Sequence, residues 1–274
     1  MNSRVTIIRS KNTSLGEGIH EFWEYRELLY MLMLRRITVR YKQTVIGIAW
    51  VLIQPLVSMT IFNIIFGNLI KIPSDGVPYP IFCYSALVLW GLFSEGVSRS
   101  GSSLLTEAQL ITKVYFPRLI IPLAAVGSAW IDFVVSLFLL LPLTFIYGMR
   151  PEWGLLLVPP VMVMTMVLAT GVGMILAALN VRYRDFQYLI PFLIQVWLYT
   201  SPVVYSVQIV PKQFLFWYYL NPMAGFLDVF RFAVTGQTTF SWLGFGWSSL
   251  CAIATFTLGA WIFRSVESGF ADYI

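Results

Sequence analysis

Long apolar stretches set the first limit on how this chain can fold. Six recur along its 274 residues, at about 45–70, 80–100, 118–147, 154–180, 187–207 and 242–263, each near the roughly 20 residues that cross a bilayer's hydrocarbon core as a helix. Lipid offers no hydrogen bonds, so backbone N–H and C=O groups must pair within each segment and the runs are read as helices. Charged residues make up 11% of the chain against about 25% in soluble domains, which excludes one water-facing globule. The expected fold is an all-α integral membrane protein with six transmembrane helices. Its polar remainder is too fragmented to hold a soluble motor domain.

The cations orient these spans. Counted from a cytoplasmic N-terminus, 14 of the 18 Lys and Arg fall on the inner side, and only Lys71, Arg150, Lys212 and Arg231 on the outer. That bias places both termini in the cytoplasm, and the net charge of +5 then faces anionic lipid, with no nucleic acid implied. The first 25 residues are polar and lack the apolar core of a secretory signal; Asn12-Thr13-Ser14 there is a chance sequon. Cys83 and Cys251 lie in apolar runs as lipid-facing or packing residues, and with a single His they indicate neither a disulfide framework nor a zinc site.

Residues 214–234 are apolar enough for a seventh span but carry Asn221-Pro222 at the middle, then Asp228 and Arg231. Proline removes a backbone donor and disfavours helix at the residue before it, so two short helices around a break are expected, entering and leaving at the outer face.

Several segments outside the spans are candidates for function. Residues 21–42 place Phe22, Tyr25, Leu29 and Leu32 at helical spacing, with Glu21, Glu24 and Glu27 largely elsewhere and Arg35, Arg36, Arg40 and Lys42 gathered at the end. This is an amphipathic interface helix with cations among lipid headgroups, a plain anchor or a dock for a cytosolic partner. The loop after the second span predicts a short helix from Thr106 to Val114, capped by Thr106 and stopped by Pro117. It is a lever for an external motor, touched through Glu107, Gln109 and Lys113, or an ordinary connector. Arg182, Arg184 and Asp185, in the turn before the fifth span, are topology anchors first and partner contacts second.

Asp132 lies inside the third span, after Ala124 and Ser128 at four-residue spacing. An intramembrane acid faces a protein or water-filled interior and has a partner. Glu95 is its one companion at depth, which favours structural pairing or a hydrophilic lining over a proton relay. Ala169, Gly173 and Ala177 form a small-residue packing face. Aromatics crowd the outer half: Trp197, Tyr199, Tyr205, Phe214, Phe216, Trp217, Tyr218, Tyr219 and Phe226. They read as an interfacial belt or, beside Asn221 and Pro222, as flat faces with polar tips along a glycan path. No G-x-x-x-x-G-K-[ST], nucleophile–base set or metal cluster occurs, so no catalytic, cofactor-binding or metal residue is assigned.

The run LLYMLMLRRITVRYKQTVIGIAWVLIQPL (28–56) resembles the membrane subunits of type-2 ATP-binding-cassette exporters, most of all the branch exporting lipid-linked polysaccharides. LITKVYFPRLIIP (110–122), LNVRYRDFQYLIPFLIQVWLYTSPVVY (179–205) and YLNPMAGFLDVFR (219–231) continue the resemblance in the same order. It implies one permease domain over 1–274, with interface helix 21–42, spans one to five within 45–207, a coupling element near 106–114, re-entrant gate helices within 211–234 and a sixth span at 242–263. It further implies a homodimer in the bacterial cytoplasmic (inner) membrane, joined to two copies of a separate ATPase that binds ATP and Mg. The cargo implied is a polyprenyl-pyrophosphate-linked polysaccharide, O-antigen first, with capsule or teichoic acid as alternatives. A drug exporter of the same superfamily would often carry a large outer domain or fused ATPase. An ion-coupled transporter would show more intramembrane charge and internal repeats. A membrane-embedded glycan enzyme would cluster its outer acids, whereas Asp75, Glu152 and Asp228 are scattered.

Overall fold

The computed structural model of the chain describes residues 23–42, 47–114, 116–149, 153–183, 185–236 and 240–267. Glu21, Phe22, the N-terminal sequon, Arg150, Glu152 and Arg184 lie outside the described residues. Every regular element among those described is helical: α1 Arg26–Lys42, α2 Ala49–Phe62, α3 Tyr79–Gly101, α4 Ser103–Thr106, α5 Ala108–Lys113, α6 Ile120–Ile146, α7 Val158–Arg182, α8 Phe186–Thr200, α9 Leu215–Leu220, α10 Pro222–Thr235 and α11 Trp242–Glu267. Among the described residues five segments are long and apolar enough to cross a membrane: Ala49–Leu69, Tyr79–Gly101, Ile120–Ile146, Trp153–Arg182 and Trp242–Glu267. The first is α2 extended by a wider π-helical turn, in which the Ile70 N–H reaches the Ile65 carbonyl at 2.9 Å.

The expected fifth span, 187–207, is instead a 15-residue helix, α8, that stops at Thr200. The cause is local: Pro202 pushes Ser201 into extended backbone (φ −94°, ψ 148°). At 1.5 Å per residue α8 is about 22 Å long, short of the roughly 30 Å hydrocarbon core. The break at Asn221-Pro222 falls where the sequence places it. The Asn221 side chain accepts from the Met223 N–H at 3.1 Å, and Pro222 sits in the first turn of α10, where its missing donor costs nothing. Gly236 ends α10 with φ 68°, its N–H returning to the Phe232 carbonyl.

α3 is the central helix: 78% of its span is buried, against none of the α2 span. It packs against α6 and α7, α7 packs on α11, and α1 lies along α6. Ala169 meets Gly96, and Gly173 meets Ser100, so the small-residue face of α7 lets α3 approach closely. Cys83 is buried in this core and Cys251 is half-buried. At the α7–α11 crossing a Cβ on Gly171 would lie 2.6 Å from the Phe256 nitrogen, and one on Gly259 would strike the Gly171 carbonyl. Gly171→Val should therefore cost about 1–3 kcal/mol or more through overpacking against backbone, read as a lower melting temperature of the purified protein in detergent. Gly246→Ala, where a Cβ meets open space, should be neutral or stabilising.

Candidate functional site

The site begins with α1. Leu32 is buried and Tyr25, Leu28, Leu29 and Met33 are partly buried against Phe116, Ile120, Ala124 and Phe263, while Glu24 and Glu27 stay exposed. The cations of its second half are held by carboxylates. Arg35 and Arg36 bracket Glu107 at 3.2 and 3.3 Å. Burial lowers the Arg36 pKa and the Glu107 carboxylate opposes that shift. Lys42 is exposed.

Arg40 and Tyr41 reach a charge cluster between α3 and α6. Arg40 lies 3.0 Å from Glu95 and 3.3 Å from Asp132. Arg99 binds Glu95 at 2.9 Å, bonds Asp132 directly, and donates to Ser128 Oγ at 3.1 Å. The Tyr41 hydroxyl donates to the other oxygen of Asp132. Its pKa is raised, by burial first and then by that bond and the Asp132 charge, which keeps it the donor. Two acids and two cations close the cluster at zero formal charge. Asp132 thus has structural partners. Arg99 and Tyr41 are additions: Arg99 sits four residues after Glu95, a helical-neighbour spacing visible in the sequence, but Tyr41 approaches from another helix and leaves no such trace.

The expected 106–114 helix is the shorter α5, Ala108–Lys113, with a separate one-turn helix, α4, just before it. α4 ends at Thr106, whose hydroxyl donates back to the Ser102 carbonyl at 3.0 Å instead of capping α5. Glu107 breaks the helix (φ −104°, ψ 24°) and turns inward to the α1 arginines, 7% exposed. Gln109 and Lys113 of α5 are exposed, as are Arg182 and Asp185 at the same end. Arg118 binds Glu267 there, and Asn180 donates to the Gly101 carbonyl at 3.0 Å, so at this end the start of α6 is tied to α11 and α7 is tied to α3.

At the opposite end Asn221 joins α8 to α10: Trp197 Nε1 donates to its Oδ1 at 2.9 Å and its Nδ2 donates to Ser201 Oγ at 2.9 Å. Pro222 is half-buried beside it. Arg231, counted from sequence among the outer cations, is buried at 2% exposure. It lies 3.7 Å from the Phe82 ring centroid and donates to the carbonyls of Phe82, Pro202 and Val203. Asp228 is also buried and accepts from the Tyr218 and Tyr219 hydroxyls at 3.4 Å. Tyr218 and Tyr219 are accordingly half-buried, whereas Tyr199, Phe216 and Trp217 present 63%, 69% and 67% of their surface. Tyr205 donates to the Thr200 carbonyl.

Residues 27–235 match the family model described as ABC-2 type transporter. The chain belongs to that family. Among similar proteins, the O-antigen export system permease protein RfbA of Myxococcus xanthus is 30% identical over 78% of this chain and 82% of its own length. The protein of that name from Klebsiella pneumoniae is 27% identical over 90% and 95%. The polysialic acid transport protein KpsM of Escherichia coli is 23% identical over 86% and 92%. This ABC-2 family member is thus a multi-pass membrane protein and a transporter component rather than an enzyme.

Removing one charge from the ABC-2 protein's cluster strands others. Asp132→Leu should destabilise by about 1–3 kcal/mol, since half-buried Arg99 is left sharing one carboxylate, Glu95, with Arg40, while Asp132→Leu with Arg99→Met, which leaves the Arg40–Glu95 pair intact, should recover most of the loss. Melting temperatures of the two variants check this.

Proposed function

We propose that the chain is the permease subunit of an exporter that carries a polyprenyl-pyrophosphate-linked polysaccharide, O-antigen above all, out across the bacterial cytoplasmic membrane. Two copies form the pathway, and two copies of a separate ATPase bind ATP and Mg and drive it. The observation carrying this reading is family membership together with relatives named as O-antigen export permeases that align along most of the chain. The likeness to a polysialic acid transport protein supports a capsule polymer as the second reading.

In this reading both termini are cytoplasmic. α8 with the Ser201–Ser206 turn makes a fifth crossing, α11 is the sixth, and α9 and α10 are re-entrant gate helices from the outer face. The motor meets the exposed Gln109 and Lys113 of α5 and the exposed Arg182 and Asp185. Glu107 passes displacement to Arg35 and Arg36, and Arg40 and Tyr41 pass it to α3 and α6, because these side chains are joined by charge-assisted bonds. Tilting of α3 is felt at the outer end through Arg231, which is bonded to the Phe82 carbonyl. The glycan leaves past the exposed faces of Tyr199, Phe216 and Trp217, with Trp197, Tyr205, Tyr218, Tyr219, Asn221 and Pro222 shaping the gate.

Cells lacking the chain should lose surface polymer and accumulate it on the lipid carrier inside, and affinity purification of the tagged chain should bring down an ABC ATPase; purification with no ATPase would contradict the proposal. Phe216→Ala with Trp217→Ala, exposed rings that pack on each other, should lower export roughly 3- to 10-fold with the ATPase still bound, measured as surface polymer per copy of permease.

A further inference from the structure

Residues 207–220, VQIVPKQFLFWYYL, are as apolar as a core segment, yet proline keeps them in short pieces. Pro211 precedes a single turn at Lys212–Phe214, and α9 stops at Leu220 because Pro222 holds Asn221 in extended backbone. No side chain described in this stretch is buried, and none is part of the apolar core. Its backbone bonds outside α9 stay within it or reach only its two flanking residues: Ile209 to Ser206, Val210 to Val207, Phe214 to Pro211 and Asn221 to Tyr218. Few buried contacts and self-contained bonding mark a segment that opens locally at low cost.

Both flanks are fixed. On one side the Pro202 and Val203 carbonyls accept from Arg231, the Val204 carbonyl accepts from the Tyr79 hydroxyl at 2.9 Å, and Ser206 Oγ donates to Asp75 at 2.5 Å. On the other, Asn221 is bonded to Trp197 and Ser201 and caps α10. α10 itself has twelve of its fourteen residues buried, which leaves it no room to swing without opening the core.

Between those flanks two side-chain bonds hold the segment to the bundle. The Tyr218 and Tyr219 hydroxyls donate to opposite oxygens of Asp228 at 3.4 Å, longer than the roughly 2.5–3.0 Å of a strong O–H···O bond. The Tyr219 ring also rests on α11 at Gly244, where an added Cβ would lie 2.7 Å from it. Asp228 is 6% exposed and makes no ion pair among the described residues, because Arg231 on the same helix is spent on carbonyls. A buried carboxylate that loses its donors is costly. The two bonds are therefore weak enough to break and are favoured to re-form.

We infer that residues 207–220 are a flap hinged at Ser206 and Asn221 and latched to the bundle by Asp228, while α10 belongs to the fixed frame. The inference rests on the export reading above and deepens it: of the two helices assigned to the gate, α9 alone moves.

Hydrogen–deuterium exchange on the purified permease–ATPase complex, resolved by peptide, tests this. Tyr218→Phe with Tyr219→Phe removes only the two hydroxyls and should raise exchange in 207–220 by about 5- to 30-fold, as for one or two kcal/mol of lost latch energy, with 201–206 and 222–235 unchanged. Gly244→Ala, which pushes the Tyr219 ring away without touching a hydroxyl, should raise exchange in the same peptides. Trapping ATP on the complex of the unmodified chain should do so as well. Unchanged exchange in the double Phe variant would overturn the latch, and a rise shared by 222–235 would overturn the fixed frame. Equal exchange in 207–220 with and without trapped ATP would overturn the flap's movement during transport. Absence of an ATPase from the purified chain would remove the export reading instead, and the double Phe comparison on the permease alone would still decide the latch.

Discussion

A carboxylate inside a membrane span is tolerable only when its charge is matched at close range, and Asp132 finds its match on two other helices. That requirement fixes much of one end of the helix bundle. Arg99 must come from α3, Arg40 and Tyr41 from α1, and so α1 is pinned across α3 and α6. Glu107 repeats the device one step beyond the C-terminal end of α3, with Arg35 and Arg36 supplying the charge. Arginines that suit lipid headgroups by position are thereby committed to protein carboxylates.

α3 carries the consequence through the membrane. Glu95 and Arg99 hold its C-terminal end to the cluster, and near its N-terminal end the Phe82 carbonyl and ring receive Arg231 from α10. About 26 Å of continuous helix separates Phe82 from Arg99 at 1.5 Å per residue. A helix buried along most of its length and gripped by an arginine at either end is suited to pass displacement from one face to the other.

The sequence makes visible whatever depends on neighbours along the chain. The long spans follow from apolar runs, the break at Asn221-Pro222 from proline chemistry, and the apolar side of α1 from helical spacing. Where several local rules compete, the wrong one can win. Hydropathy draws the fifth span too long because it continues past Thr200, although Pro202 already forbids the helix there. Thr106 has the composition of a cap, but its hydroxyl bonds backward to Ser102. Contacts between distant segments leave least trace: nothing near Arg231 announces that three carbonyls will surround it, nor does the context of Glu107 show that it turns inward.

Transmission through α1 requires that α1 and α6 move together when the motor closes. Spin labels at Val39→Cys on α1 and Phe138→Cys on α6, both exposed sites, report their separation by pulsed electron resonance in the ATPase complex. Coupling through Asp132 predicts the same Val39–Phe138 distance with and without trapped ATP, while the distance from Val39 to a label at Phe216 changes. A Val39–Phe138 distance that shifts on ATP binding would contradict it, because α1 would then be sliding over the spans it is held to drive.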